Sequence, residues 1–274
     1  MKLIIVEQVK EEFTPDMVYW AFDWDDNILI MPTKIILKDD NGNEVPMSTE
    51  DFAEHRMDVG VNDFKYKGRT IVGFADNPFR QFGQEGDKKF VMDAFIAKTG
   101  PAWEDFVKAI NNGSIFAIVT ARGHSPLKIR SAIENMIMGD YKGISKKELI
   151  KNLRKFRDIA GEEDMDDKEL IDSYLDMCKY YPVTHGSGSA TKPEQGKLEA
   201  LKEFQQYVKY LSNIIHKPAY FRNKISNNFV PQIIFSDDDE RNLEYTHQKL
   251  SKNPENIIKF VSTKGGEKKP YSEE

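Results

Sequence analysis

Three short apolar runs, each stopping at a polar and chemically useful cluster, constrain the fold of this chain more than any other feature. Met17 to Phe22 leads into Asp23-Trp24-Asp25-Asp26-Asn27, Ile115 to Val119 into Thr120-Ala121-Arg122-Gly123, and Ile233 to Ser236 into Asp237-Asp238-Asp239. Short runs of β-branched and aromatic residues without polar alternation read as strands buried on both faces, as in a parallel sheet. Helical patterns at 102–111, 126–138, 194–211 and 240–250 lie between and after them. Strands alternating with helices predict an α/β sheet wound with right-handed crossovers. Such sheets bind ligands beyond the carboxyl ends of their strands, and all three polar clusters fall at that edge.

Two segments interrupt the alternation. Residues 31–99 hold a hairpin, Lys34 to Leu37 and Glu44-Val45 around the turn Asp40-Asn41-Gly42-Asn43, in otherwise polar sequence without clear period. Residues 140–180 read as two helices, the first opened by the capping box Ser145 to Glu148. Charge sums to +6 over 142–157 and −7 over 158–172, so the two helices attract each other; alternatively, the basic one faces a nucleic-acid or phosphorylated partner. His185 to Ser189 reads as a flexible connection, and the tail from Ser262 as loose.

Composition narrows the function. A net charge of −6 argues against duplex DNA binding driven by overall basicity. The single cysteine, Cys178, excludes an internal disulfide framework and a cysteine-based zinc site, and it fits a reducing compartment. No apolar run approaches the roughly 18–20 residues of a membrane helix, and the opening MKLIIVEQVK is short for a secretory signal. The expectation is a soluble, cytoplasmic protein with no membrane partner; its oligomeric state is not legible.

At a strand end Asp23 and Asp25 stay close, and a second acidic set, Asp237 and Asp238, ends another buried strand. Carboxylates gathered in one place repel unless a cation or proton compensates. An all-oxygen set of this kind suits Mg²⁺, which keeps waters and contacts substrate phosphate. Thr120 offers a hydroxyl and an N–H to a phosphate oxygen, and Arg122 a bidentate phosphate contact. His124 and His185 are candidate acids or bases, more often solvated loop residues. A lysine is needed to neutralise a transferring phosphoryl group, and Lys192 and Lys197 both stand where a helix opens, with Thr191 and Glu194 as its capping box. Phe79, Phe82 and Trp103 read as core packing rather than pocket lining.

In order, the chain has Asp-x-Asp after one strand, Thr after a second, Lys at a helix start and an acidic pair after a third. This resembles the haloacid dehalogenase (HAD) superfamily of phosphohydrolases, on Phe22 to Leu29, Ile118 to Arg122, Lys197 or Lys192, and Ile233 to Asp238. The resemblance implies a Rossmann-like three-layer parallel sheet built from 14–30, 100–140 and 185–262. It also implies a flap or cap insertion at 31–99 and a helical insertion at 141–184, while 263–274 reads on its own as a flexible tail. It implies Asp23 as nucleophile, Asp25 as acid and base, Thr120 holding the phosphoryl group, and Lys197 or Lys192 offsetting its charge. Mg²⁺ would be held by Asp23, Asp237 and the backbone carbonyl of Asp25, with Asp238 as an additional ligand. Two departures stand out: Asp26-Asn27 where the family has a small residue and Thr or Val, and Ser236 where it commonly has Gly.

The resulting expectation is a Mg²⁺-dependent phosphatase acting on a phosphorylated small molecule or a nucleic-acid 3′ end. The alternative is a non-catalytic phosphate- or partner-binding module on the same fold. A receiver-like domain would use the same residue types, but its acidic pair belongs on the first strand and its phosphorylated Asp on a middle one, the wrong order for this chain.

Overall fold

A computed structural model describes residues 18–83, 86–160, 165–184, 192–221 and 231–272, without the side chains of 159–160 and 213–221. In chain order the strands are β1 (Val18–Phe22), β2 (Leu29–Ile30), β3 (Ile35–Asp39), β4 (Glu44–Met47), β5 (Phe64–Tyr66), β6 (Arg69–Phe74), β7 (Lys98–Thr99), β8 (Phe116–Thr120), β9 (Lys179–Pro182), β10 (Gln232–Asp237), β11 (Ile258–Ser262) and β12 (Lys269–Pro270). The helices are α1 (Thr49–His55), α2 (Asp87–Ile96), α3 (Trp103–Asn111), α4 (Pro126–Met138), α5 (Lys146–Ala160), α6 (Asp167–Met177), α7 (Pro193–Phe221) and α8 (Glu240–Leu250).

The main sheet is mixed but mostly parallel, in the order β12-β11-β10-β1-β8-β9, with only β12 antiparallel. The winding runs outward from β1 through β8 to β9, then returns to β10 and continues to β11 on the other side. This is a Rossmann-like order, with its reversal between β1 and β10. Helix α2 packs on α4 and α7 on α8, and right-handed crossovers put these pairs on opposite faces of the sheet. That two-sided cover explains why β1 and β8 are almost wholly apolar. Trp20 and Phe22 stack at 5.6 Å on one face of β1; Phe22 meets Phe106 of α3 edge-on, and Phe106 meets Phe116 of β8. Trp103 joins this core, its indole N–H donating to the Lys142 carbonyl at 3.0 Å.

The segment 31–99 divides. Its first part forms a separate antiparallel sheet, β4-β3-β6-β5, around a small core that includes Leu37, Met47 and Ile71. The expected hairpin is β3–β4, turned by Gly42 at φ 80 and by Asp39, whose carboxylate accepts the amides of Asn41 and Asn43. Its last part belongs to the main body: Phe90 and Ala94 of α2 enter the large core, and β7 pairs with β2.

Two boundaries need correction. The segment 141–184 is not wholly an insertion, because β9 at its end is an edge strand of the main sheet, paired parallel with β8. The helices before it, α5 and α6, carry the expected attraction in the Arg154–Asp167 pair at 2.8 Å. The tail is not loose as far as it is described: β12 pairs with β11, and the Tyr271 amide donates to Phe260 at 2.9 Å. Thr191 and the 185–189 connection lie outside the described residues. No described helix is long and apolar enough to cross a membrane.

Gly100 fixes the loop after β1. Its amide donates to the Ile28 carbonyl at 2.8 Å, and a Cβ there would press on the Asn27 carbonyl oxygen and lie 2.8 Å from its carbon. Backbone cannot yield as a flexible side chain does. Gly100→Ala should therefore destabilise the fold by about 1–3 kcal/mol, read as a lower urea midpoint at unchanged slope. An unchanged midpoint would show that the loop is free to move.

Candidate functional site

The reversal in strand order puts the ends of β1 and β10 side by side. Phe22 is in register with Ser236, and the Asp23 amide donates to the Ser236 carbonyl at 2.9 Å. Asp23 and Asp237 are therefore neighbours, both buried. Between them lies Lys197, brought in by α7 with its side chain only 1% exposed; its Nζ is 2.9 Å from Asp23 Oδ1 and 2.6 Å from Asp237 Oδ2. The preceding Gly196 lets α7 approach this closely, since a Cβ there would stand 2.7 Å from Val183 Cβ. Lys192 is exposed at the start of that helix. Of the two lysines left open by the sequence, Lys197 is the one among the carboxylates.

Asp238 completes the group. Carboxylate oxygens of Asp23, Asp237 and Asp238 lie within 4.8 Å of one another. Asp237 is further fixed by the Asp239 amide at 3.0 Å and by Asn242 Nδ2 at 3.2 Å. Burial raises the pKa of Asp23; Lys197 opposes this, and the charges of Asp237 and Asp25 add to it. Burial also raises Asp237, against the pull of Lys197. Asp238 is pushed well above the carboxylate range by burial and then by Asp237, Asp23 and Asp26. Burial pulls the Lys197 ammonium down, but Asp23 and Asp237 outweigh it and keep it protonated. Three carboxylates thus face one ammonium, and a divalent cation would balance the remainder. The buried Asp cluster can hold a metal ion on these grounds.

Asp25 and Arg122 bond each other. The Asp25 carboxylate is not in the cluster: Arg122 clasps it, Nε to Oδ2 at 2.7 Å and Nη2 to Oδ1 at 2.6 Å. Arg122, expected as a phosphate contact, is 1% exposed, bonds Thr33 Oγ1 at 2.8 Å, and lies over the rings of Phe82 and Phe90. Its remaining nitrogen, Nη1, is buried and bonds nothing. Thr120, at the end of β8, is buried, and its hydroxyl accepts the Arg122 amide at 3.3 Å. His124 is not a solvated loop residue: it is buried against Phe90, and burial together with Arg122 lowers its pKa to about 3, so the ring stays neutral. His185 lies outside the described residues.

The two departures from the resembled pattern are bonded to each other. Asn27 Nδ2 donates to Ser236 Oγ at 3.0 Å, to the Ser236 carbonyl at 3.1 Å and to the Asp23 carbonyl at 3.0 Å, while its Oδ1 accepts Thr263 Oγ1 at 2.8 Å. Asp26 takes φ 53, a left-handed conformation that Asp tolerates better than most residues. Burial, then the neighbouring Asp25, raises its pKa to about 7. Around the rim, Asp239 caps α8 and pairs with Arg241 and Arg56. Sequence reasoning missed Asn27, Thr33, Arg56, Arg241 and Asn242. Only Asn242 carried a local signal, one turn into a helix that an Asp opens.

Compared with family models, with curated proteins and with solved structures, the chain matches none.

The electrostatics give a direct expectation. A carboxylate whose folded pKa is raised contributes stability at low pH that is lost as pH rises through the folded value. Asp238→Asn should therefore raise the melting temperature of the metal-free protein, and the gain should widen as pH climbs from the carboxylate range toward neutrality. A divalent cation at about a hundred times its Kd should stabilise the parent by about 2.7 kcal/mol and the variant by less. Thermal scans across pH, with and without Mg²⁺, check both; melting indifferent to cation would contradict the charge argument.

Proposed function

We propose that this chain is a phosphohydrolase of the HAD type that hydrolyses a phosphate monoester with Mg²⁺. The observation that carries the reading is the group at the β1–β10 reversal: Lys197 between Asp23 and Asp237, with Asp238 beside them. Thr120 supports it from the adjacent strand end. Under this reading the antiparallel sheet of the 31–99 segment acts as the flap, and α5 and α6 are a helical elaboration. A cytoplasmic setting is part of the same proposal.

Asp23 attacks phosphorus; the bond to the ester oxygen breaks, and that oxygen takes a proton from Asp25. Asp25 then removes a proton from water, which attacks the aspartyl-phosphate, frees inorganic phosphate and restores Asp23. Lys197 offsets charge on the phosphoryl oxygens, and the Thr120 hydroxyl and nearby backbone amides hold them. Asp23, Asp237 and Asp238 would hold Mg²⁺, which would supply further charge neutralisation, the main requirement of phosphoryl transfer. Proton transfer needs Asp25 to leave Arg122.

That last requirement is the one observation favouring the alternative, a phosphate-binding module in which the Arg122–Asp25 clasp is permanent. p-Nitrophenyl phosphate separates the two. The phosphatase reading expects Mg²⁺-dependent release of phosphate, reduced by roughly three orders of magnitude or more in Asp23→Asn. It also expects near-complete loss in Lys197→Ala and full retention in Lys192→Ala. Robust turnover by Asp23→Asn contradicts it, and stabilisation by phosphoesters without turnover of any of them assigns the module instead.

A further inference from the structure

We propose that Arg122 is a positioning residue that couples the seating of the small sheet β4-β3-β6-β5, with α1, to the freedom of Asp25: substrate displaces that unit, and Asp25 is released to act as acid and base. The inference rests on the phosphatase reading and names how that site is regulated.

The unit is built to move as one body. It has its own core, including Leu37, Met47 and Ile71, apart from the core of the main sheet. The chain enters it at 31–34 and leaves it at 81–83, and the Lys34 amide donates to Gln81 Oε1 at 3.1 Å, so the two junctions are tied together. A separate core on two adjoining junctions is the anatomy of a hinged element. Seated, the unit touches the acidic loops through α1. Thr49 bonds Asp26, the Ala53 carbonyl accepts Arg241, and Arg56 pairs with Asp239 at 3.3 Å and with Glu194 at 3.6 Å. In this seating Asp23 and Asp237 are 5% and 0% exposed, so an ester reaches them only after a covering element moves.

Both junctions end on Arg122. Thr33 Oγ1 accepts Nη2 at 2.8 Å, and the Phe82 ring lies 4.8 Å from the guanidinium carbon. The Phe82 carbonyl also accepts the amide of Gly123, the next residue, at 2.8 Å. Held in this way, the guanidinium takes both oxygens of Asp25, at 2.7 and 2.6 Å, with Nη2 serving Thr33 and Asp25 alike. A carboxylate gripped by such a fork is fixed in direction and cannot turn to an ester oxygen. The grip also carries a fault that makes it reversible: Nη1 is buried with no acceptor, a cost borne by the clasped arrangement. Displacing the unit withdraws Thr33 and Phe82, the bond and the ring that orient Arg122. Asp25 is then free beside Asp23, where its charge already acts.

The test reads the first chemical step alone, release of the alcohol in a single turnover with Mg²⁺ and enzyme in excess. p-Nitrophenol leaves with little help from an acid, whereas glycerol needs its oxygen protonated. Thr33→Val removes the hydroxyl that steadies the clasp. It should speed glycerol release from glycerol phosphate by about two- to tenfold, the worth of one hydrogen bond, and leave p-nitrophenol release unchanged. Thr33→Ser keeps the hydroxyl and should match the parent. Arg56 pairs with Asp239 and Glu194 rather than with Arg122 or Asp25, yet Arg56→Gln loosens the seating and should favour glycerol release in the same selective way. Equal changes for both esters, or no gain in Thr33→Val, overturn the proposal. A gain in Thr33→Val without one in Arg56→Gln overturns the coupling to the unit. Should no ester turn over, the phosphatase reading fails separately, and hydrogen exchange of the Arg122 Nε proton, followed by NMR without substrate, decides the relay. Faster exchange in Thr33→Val and Arg56→Gln than in the parent and Thr33→Ser supports it; equal exchange in all four overturns it.

Discussion

Lys197 carries its charge to a place where 1% of its side chain meets water, a position tolerable only because Asp23 and Asp237 stand 2.9 and 2.6 Å away. Removing an ammonium and two carboxylates from solvent costs several kcal/mol per ion, and their attraction returns this only when geometry and further hydrogen bonds are good. The structure supplies both. Asn242 and the Asp239 amide hold Asp237, the β1–β10 register sets Asp23, and the close contact of Gly196 with Val183 sets the depth of α7. The arrangement is still one-sided, because Asp238 adds a third carboxylate to a single ammonium. The excess negative charge means that the group could hold a cation, where a finished ion-pair network would not.

Strands β1, β8 and β10 were legible because burial on both faces demands an unbroken apolar run, a pattern few other elements leave. The helices between them were legible from period and caps, with α4 and α8 observed over the expected spans. Edge elements were not. Strand β9 is Lys-Tyr-Tyr-Pro and β12 is Lys-Pro, and a strand paired on one side has no need of a hydrophobic signature. The sheet β4-β3-β6-β5 hid for a related reason: β5 has only 3 residues, and most of β5 and β6 is exposed or half-buried. Lys67-Gly68, with φ of 46 and 79, is nonetheless a two-residue hairpin turn that its Gly could have announced.

The site was legible where chemistry lies in residue type and strand-end position, as for Asp23, Thr120 and Asp237. It was illegible where one long-range partner decides. Nothing near Arg122 in sequence says that Asp25, ninety-seven residues earlier, is its partner. Nothing near Asn27 points to Ser236, 209 residues away, or to Thr263. The two positions that weakened the resemblance to the HAD pattern bond to each other, so they read as one alternative way of tying the first acidic loop to the last.

Phe79 carries a similar lesson. By type it belongs in a core, yet it is 44% exposed above a cluster that reaches Arg122. Side-chain chemistry proposes a role, and the three-dimensional surroundings decide between roles.

The central claim is that Asp23, Asp237 and Asp238 share one divalent ion beside Lys197. A crystal grown with Mn²⁺ in place of Mg²⁺ tests it most directly through anomalous scattering. The account expects a single peak bonded to carboxylate oxygens from both β1 and the loop after β10, with Lys197 still alongside. A cluster without a peak at saturating Mn²⁺, or an ion bound only elsewhere, would contradict it.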